Sequence, residues 1–209
     1  MPKVSDEHRE ARRRQIVEAA MRSFLRSGFQ GSSMSDIIAE SGLSTGAIYG
    51  HFAGKSEIVS AVAIEVLEGG LSEMKEARDP DGAPTHPLDF VLRLVTSLTG
   101  RVGGTALPVQ IWGRAVVDPD LRELFGTILP EIVAAVAEQT ALWLHEVRGL
   151  GDEQARTRAE HLAPLVTGML QGAVIQSELL DEFDLAAYLA PARPLFDGAL
   201  DDRPSDVVA

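Results

Sequence analysis

The chain contains no cysteine. That excludes disulfide frameworks, thiolate metal sites and cysteine nucleophiles. Asparagine is also absent, so there is no N-glycosylation sequon and a bidentate Asn–adenine contact cannot form. Aromatic residues are sparse, with two Trp and two Tyr, and an aromatic cage around a cation is not expected. No uninterrupted apolar run reaches the roughly 18 residues of a membrane span. The opening MPKVSDEHREARRRQ has no apolar stretch of the signal-peptide kind. The expected location is the cytoplasm, with no membrane partner. Strand signals are missing too: there is no sustained period-2 alternation and no Asn-Gly hairpin.

What is present is helical periodicity along nearly all of the 209 residues. The expected fold is all-α, with about nine helices in one or two domains. The net charge is −12, unevenly spread. Residues 1–60 carry eight Lys/Arg and seven Asp/Glu, a balance of +1, while 61–209 carry eleven and twenty-four, a balance of −13. This reads as a small anion-binding module on an acidic body, or as solubility alone.

The first helix is predicted over 6–25, with Ile16, Ala20 and Phe24 at i, i+4, i+8 and Gly28 as its stop. Arg9, Arg12, Arg13 and Arg14 precede that stripe as a phosphate-facing or merely solvated patch. Ser33 and Asp36 have the spacing of a capping box for a short helix over 34–41. Gly42 makes a turn, and Ser44 caps a second short helix over 44–51. A longer helix follows over 56–78, then a linker rich in Pro, Asp and Gly over 79–87. Further helices are predicted over 88–98, 108–117, 119–147 with a kink or break at Pro130, and 152–180. The last, over 182–200, is interrupted by Pro191 and Pro194, and 201–209 read as disordered.

Two short helices around a Gly-containing turn read as a helix-turn-helix, although such pairs also occur as plain core packing. Gly54-Lys55-Ser56 is not a phosphate loop: the earlier glycine it needs is Tyr49, and no strand precedes it. The histidines, His8, His51, His86, His145 and His161, form no i, i+4 pair, so no metal site is expected. The expectation is a non-enzyme without cofactor.

The strongest constellation lies in residues 28–58: Gly28-Phe29, Gly31-Ser32-Ser33, Asp36-Ile37, Ser41-Gly42-Leu43-Ser44, Gly46, Ile48-Tyr49, His51-Phe52 and Lys55. This segment resembles the TetR family of bacterial transcriptional regulators. Close resemblance covers residues 10–60; 118–125 and 161–200 resemble the family more weakly. The resemblance implies an N-terminal three-helix DNA-binding domain, 1–55, and a ligand-binding and dimerisation domain, 56–209. Candidate DNA-contacting residues are Ser33, Ser35, Ser44, Thr45, Gly46, Ala47, Tyr49, His51 and Lys55. Ser44 and Thr45 start a helix whose amides favour phosphate oxygens. Gly46 and Ala47 lack bulk, and Ala47 can reach a thymine methyl. By resemblance, Tyr49, His51 and Lys55 contact phosphates. Thr45 and Gly50 stand where such regulators often carry long basic or aromatic side chains, so specificity falls to Thr45, Ala47, Ser35 and DNA shape.

In the body, Gln110 and Arg114 flank Trp112, and Thr167 and Gln171 lie at i, i+4. These five are the candidate effector contacts, in a cavity of about 300 Å³ or more. The expected effector is a largely apolar molecule, neutral or weakly anionic, with Arg114 as partner to an anion. The wide apolar surface of the 152–180 helix, with Val166 and Met169 central, points to a side that faces a partner, and the resemblance implies a homodimer through the last two helices, 152–200. The combined reading is a repressor that binds a palindromic operator in double-stranded DNA and leaves it when a small molecule binds. Two alternatives stand: an architectural DNA-binding protein without a ligand, and an all-helical enzyme or carrier.

Overall fold

The computed structural model describes residues 6–76 and 78–198; the expected disorder of 201–209 lies outside them. Among the described residues the chain is helical, with one isolated bridge between Arg78 and Pro84. Helix α1, Asp6–Gly31, buries Ile16, Val17, Ala20 and Phe24. It runs past the expected end at 25 and breaks at Gly28, whose φ of 70° and ψ of 171° no helix contains, before a last turn. Phe29 then packs edge-on against Phe24, ring centres 4.7 Å apart.

Helix α2, Met34–Ser41, starts in the capping box expected from Ser33 and Asp36 and ends at left-handed Gly42. Helix α3, Thr45–Tyr49, is capped by Ser44 and buries Ile48. Helix α4, Lys55–Glu76, leaves this head and enters the body. There it meets α5, Pro87–Val102, α6, Ala106–Val117, and α7, Pro119–Leu142. A π-helical turn, Trp143–Val147, prolongs α7. Helix α8, Asp152–Leu179, returns antiparallel along α7, and Ala155, Ala159 and Ala163 let it lie close.

Pro130 does not break α7, and Pro164 in α8 is tolerated in the same way. Proline frees the carbonyl four residues earlier. Here those residues, Gly126 and Glu160, are exposed, so water can satisfy the freed oxygens. The C-terminal segment is in pieces, as its prolines imply: α9, Leu185–Leu189, a 3₁₀ turn, Ala190–Ala192, and α10, Arg193–Gly198.

One helical stretch, Pro119–Val147, is long and apolar enough to cross a membrane by length and composition. Its α7 part packs against α4, α6 and α8. The apolar core is in three parts. The first joins Ile16, Phe24, Ile37, Ile48 and Phe52 to Ile58 and Val62 of α4 and to Leu107, Ile111 and Leu121 of α6 and α7. The second fills the body between α4, α5, α7, α8 and the C-terminal pieces. The third seats Trp143 and Leu144 against α8.

Candidate nucleic-acid interface and body cavity

The head places α3 on the surface by burying one side of it. Ile48 is fully buried and Phe52 nearly so, while Tyr49 is about half exposed, 51%. Ser33, Ser35, Ser44, Thr45 and Gly46 are exposed; Ala47, His51 and Lys55 are half-buried. Eight of the nine candidate residues thus lie on α2, α3, their caps and the start of α4, and His51 lies in the turn between α3 and α4. Nothing lies within 4 Å of where a Gly46 side chain would begin, so a groove edge can approach closely there.

Two of the caps consume hydrogen-bonding capacity. The Ser33 hydroxyl donates to Asp36 Oδ2 at 2.6 Å and accepts from the Asp36 amide at 3.2 Å. The Ser33 amide donates to the same carboxylate at 2.7 Å. The Ser33 hydroxyl first, then its amide, hold the Asp36 carboxyl below its ordinary pKa. Ser44 Oγ accepts from the Ala47 amide at 3.3 Å. Ser33 and Ser44 are therefore first of all the residues that fix where α2 and α3 begin.

Three contacts hold α1 against this pair, and none was visible in the sequence. Gln15 Nε2 donates to the Ser41 carbonyl at 2.9 Å, and Arg12 donates to Gln15 Oε1 at 2.8 Å. Arg22 and Arg26 both meet Glu40 at 2.7 Å. Arg22, then Arg26, lower the Glu40 pKa. The Arg13 guanidinium lies 5.5 Å from the centre of the Phe52 ring. The basic cluster on α1 therefore divides: Arg12 and Arg13 brace the head, while Arg9, Arg14 and Lys55 make no ion pair among the described residues. The sequence shows the cluster but not this division, because the fold brings Ser41 and Phe52 to α1.

The body holds a small cavity of about 80 Å³ between α4, α5, α6, α7 and α8. Trp112, Thr167 and Gln171 line it. Gln110 and Arg114 do not. Gln110 Oε1 accepts from the Phe29 amide at 3.1 Å, beside the Gly28 break. Arg114 pairs with Asp118 at 3.0 Å, at the corner between α6 and α7. The reason is helical geometry: residues two apart point about 200° away from each other, so flanking Trp112 in sequence puts both on the far side of α6. The cavity is also smaller than expected, and among the described residues that line it there is no cation. A larger concave region, of about 530 Å³, lies beside Arg14, Glu18, Met21 and Glu65 between α1 and α4. Among the described residues no three metal-ligating groups converge.

A capped helix pair presented on a three-helix head above a helical body defines a helix-turn-helix DNA-binding regulator. Residues 16–62 match the family model described as bacterial regulatory proteins, tetR family. The HTH-type transcriptional repressor Rv1474c of Mycobacterium tuberculosis is 41% identical over 139 residues, 66% of this chain and 70% of that protein. The HTH-type transcriptional regulator YfiR of Bacillus subtilis is 31% identical over 109 residues, and the chain spans about half of its length, 53%. Salmonella enterica GusR shares the fold with a TM-score of 0.69 at 21% identity, covering 95% of this chain and 99% of that one. So does a regulator from Saccharomonospora viridis in complex with choline, TM-score 0.66 at 19% identity, covering 90% and 96%. The chain belongs to the TetR family of bacterial regulatory proteins, and it is a transcriptional regulator.

Proposed function

We propose that two copies bind a roughly palindromic operator, each laying α3 in a major groove, and that the bound dimer represses transcription until a small molecule entering the body cavity releases it. The head is residues 1–55, and the ligand-binding and dimerisation part is 56–209. The observation that carries this reading is α3: its buried Ile48 anchors it, and Thr45, Gly46 and Tyr49 stand outward with Lys55 beside them.

Dimerisation is supported by α8. Leu165, Gly168, Gly172, Ile175 and Leu179 recur at steps of three and four along one side. Leu165 and Leu179 are 61% and 71% exposed. That is the spacing of a helix–helix seam; Gly168 is open to close approach, whereas Gly172 lies under the Tyr188 hydroxyl of the same chain. Val166, expected at this interface, is instead buried in the body core, and Met169 packs against the same core. The helix is apolar on two sides, and Val166 and Met169 belong to the inner one. The choline complex of the S. viridis relative supports small-molecule binding in this fold. The 80 Å³ cavity favours a second reading, an architectural protein without effector.

The test is selection of genomic fragments by the purified protein, followed by variants on the selected site. Lys55→Ala should weaken binding to every sequence and reduce the salt slope by about one unit. Thr45→Ala should change the sequence preference instead. Unchanged affinity in both Lys55→Ala and Tyr49→Ala overturns the placement of the interface. A screen of small molecules that raise the melting temperature and weaken operator binding separates the effector reading from the architectural one.

A further inference from the structure

We infer that His86 is the catch of an acid-released latch: the neutral ring holds α10 on the body, and protonation of the ring frees that helix while the rest of the chain stays folded. The ring is almost fully buried, 7% exposed. It is wedged between Trp143 of the π-helical turn, edge-on with centres 4.6 Å apart, and Phe196 of α10, 6.0 Å away. Its Nδ1 accepts from the Leu88 amide at 3.1 Å and so caps α5. Its Nε2 is buried with no hydrogen-bond partner among the described residues. The neutral ring fits this seat in one tautomer, with hydrogen on Nε2. The imidazolium fits it in none. Both nitrogens then carry hydrogen, so Nδ1–H meets the Leu88 N–H head-on, the cap is lost, and a charge is buried.

The charged groups around the ring are Asp89 of α5, Arg148 just past the π-helical turn, and Arg193 and Asp197 of α10. They are already paired with one another. Arg148 meets the Asp197 carboxylate at 3.1 Å and its carbonyl at 2.8 Å, and Arg193 meets Asp89. Asp197 Oδ1 stands 3.8 Å from Nε2, too far for a hydrogen bond. Burial first, and then the Arg193 charge, disfavour the charged ring against the pull of Asp89 and Asp197. Of the elements that build the seat, α10 is the easiest to displace. It has six residues, and of 193–197 only Phe196 is buried. The π-helical turn, by contrast, prolongs α7 and seats Trp143 and Leu144 in a core of their own.

Hydrogen exchange of the full chain tests the latch, read by mass spectrometry at about pH 7.5 and about pH 5.5 and divided by the intrinsic rate at each pH. Protection of 193–198 should fall about tenfold between the two, because the freed ring takes up its proton near the ordinary value of about 6.5. The fall should be the same in about 1 M urea, since release of one short helix exposes little surface. His86→Asn, whose Oδ1 can still accept from Leu88 but which cannot titrate, should hold the fall to within about twofold. A wild-type fall within about twofold overturns the latch, whether or not the variant folds. An equal fall in His86→Asn overturns the role of His86. Protection that also drops steeply with urea overturns local release, because the whole chain is then unfolding.

Discussion

His86 shows how much one side chain can depend on its surroundings. It caps α5, its Nδ1 accepting from the Leu88 amide at 3.1 Å. Its proton is therefore on Nε2, which is buried without a hydrogen-bond partner, 3.8 Å from Asp197. Trp143 packs edge-on against the ring at 4.6 Å. Burial, and after it the Arg193 charge, push the His86 pKa below 6.5, against the weaker opposite pull of Asp89 and Asp197. The unfolded chain therefore takes up this proton first as pH falls. Stability is complete above about pH 6.5 and declines below it. We expect the urea midpoint of the wild type to drop between about pH 6.5 and 5, above the range where carboxylates titrate. His86→Asn, which can still cap Leu88 but cannot titrate, should flatten that drop. Equal slopes in the two proteins would show that His86 is not the group responsible. Nothing in the sequence marked His86 beyond its place before Pro87.

At the scale of the element, helix starts were legible and helix faces were only partly so. Ser33, Ser44 and the Asp118-Pro119 pair announce three helix beginnings through chemistry contained within a few residues. Gly28 and Gly42 likewise mark turns that need positive φ. Periodicity gave α8 an apolar surface but not its division between the core and the outer seam, because both sides are apolar. On α6 it could not tell the cavity side of Trp112 from the Gln110 side that meets Phe29. The Gly28 break also bears on stability. Its φ and ψ lie where a side chain is strained, and Gln110 Oε1 is 3.5 Å from a built Cβ. Gly28→Ala should cost on the order of 1–3 kcal/mol, read from denaturant unfolding. Gly46→Ala, with open space and helical backbone, should cost no stability. Equal stability of Gly28→Ala and wild type would mean that the break relaxes without penalty.

At the scale of the whole molecule, the two sides of α8 separate folding from assembly. Ile175→Arg adds a charge to the exposed seam, so it should yield a folded monomer by light scattering, with an unchanged circular dichroism spectrum. Val166→Arg puts an unpaired charge in the body core, where a cost of roughly 3–5 kcal/mol or more is expected, and should unfold the protein. A wild type that is already monomeric at micromolar concentration would defeat the seam. The first core cluster has a different kind of consequence. Leu107, Ile111 and Leu121 of the body close over Ile16, Phe24 and Ile48 of the head, and Gln110 ties itself to Phe29. Grafting this head onto a relative's body, to redirect that relative's effector to new promoters, therefore means transplanting the inner surfaces of α4 and α6 as well. A splice at residue 55 would join two half-finished cores, and the working unit of exchange is the head together with its seat.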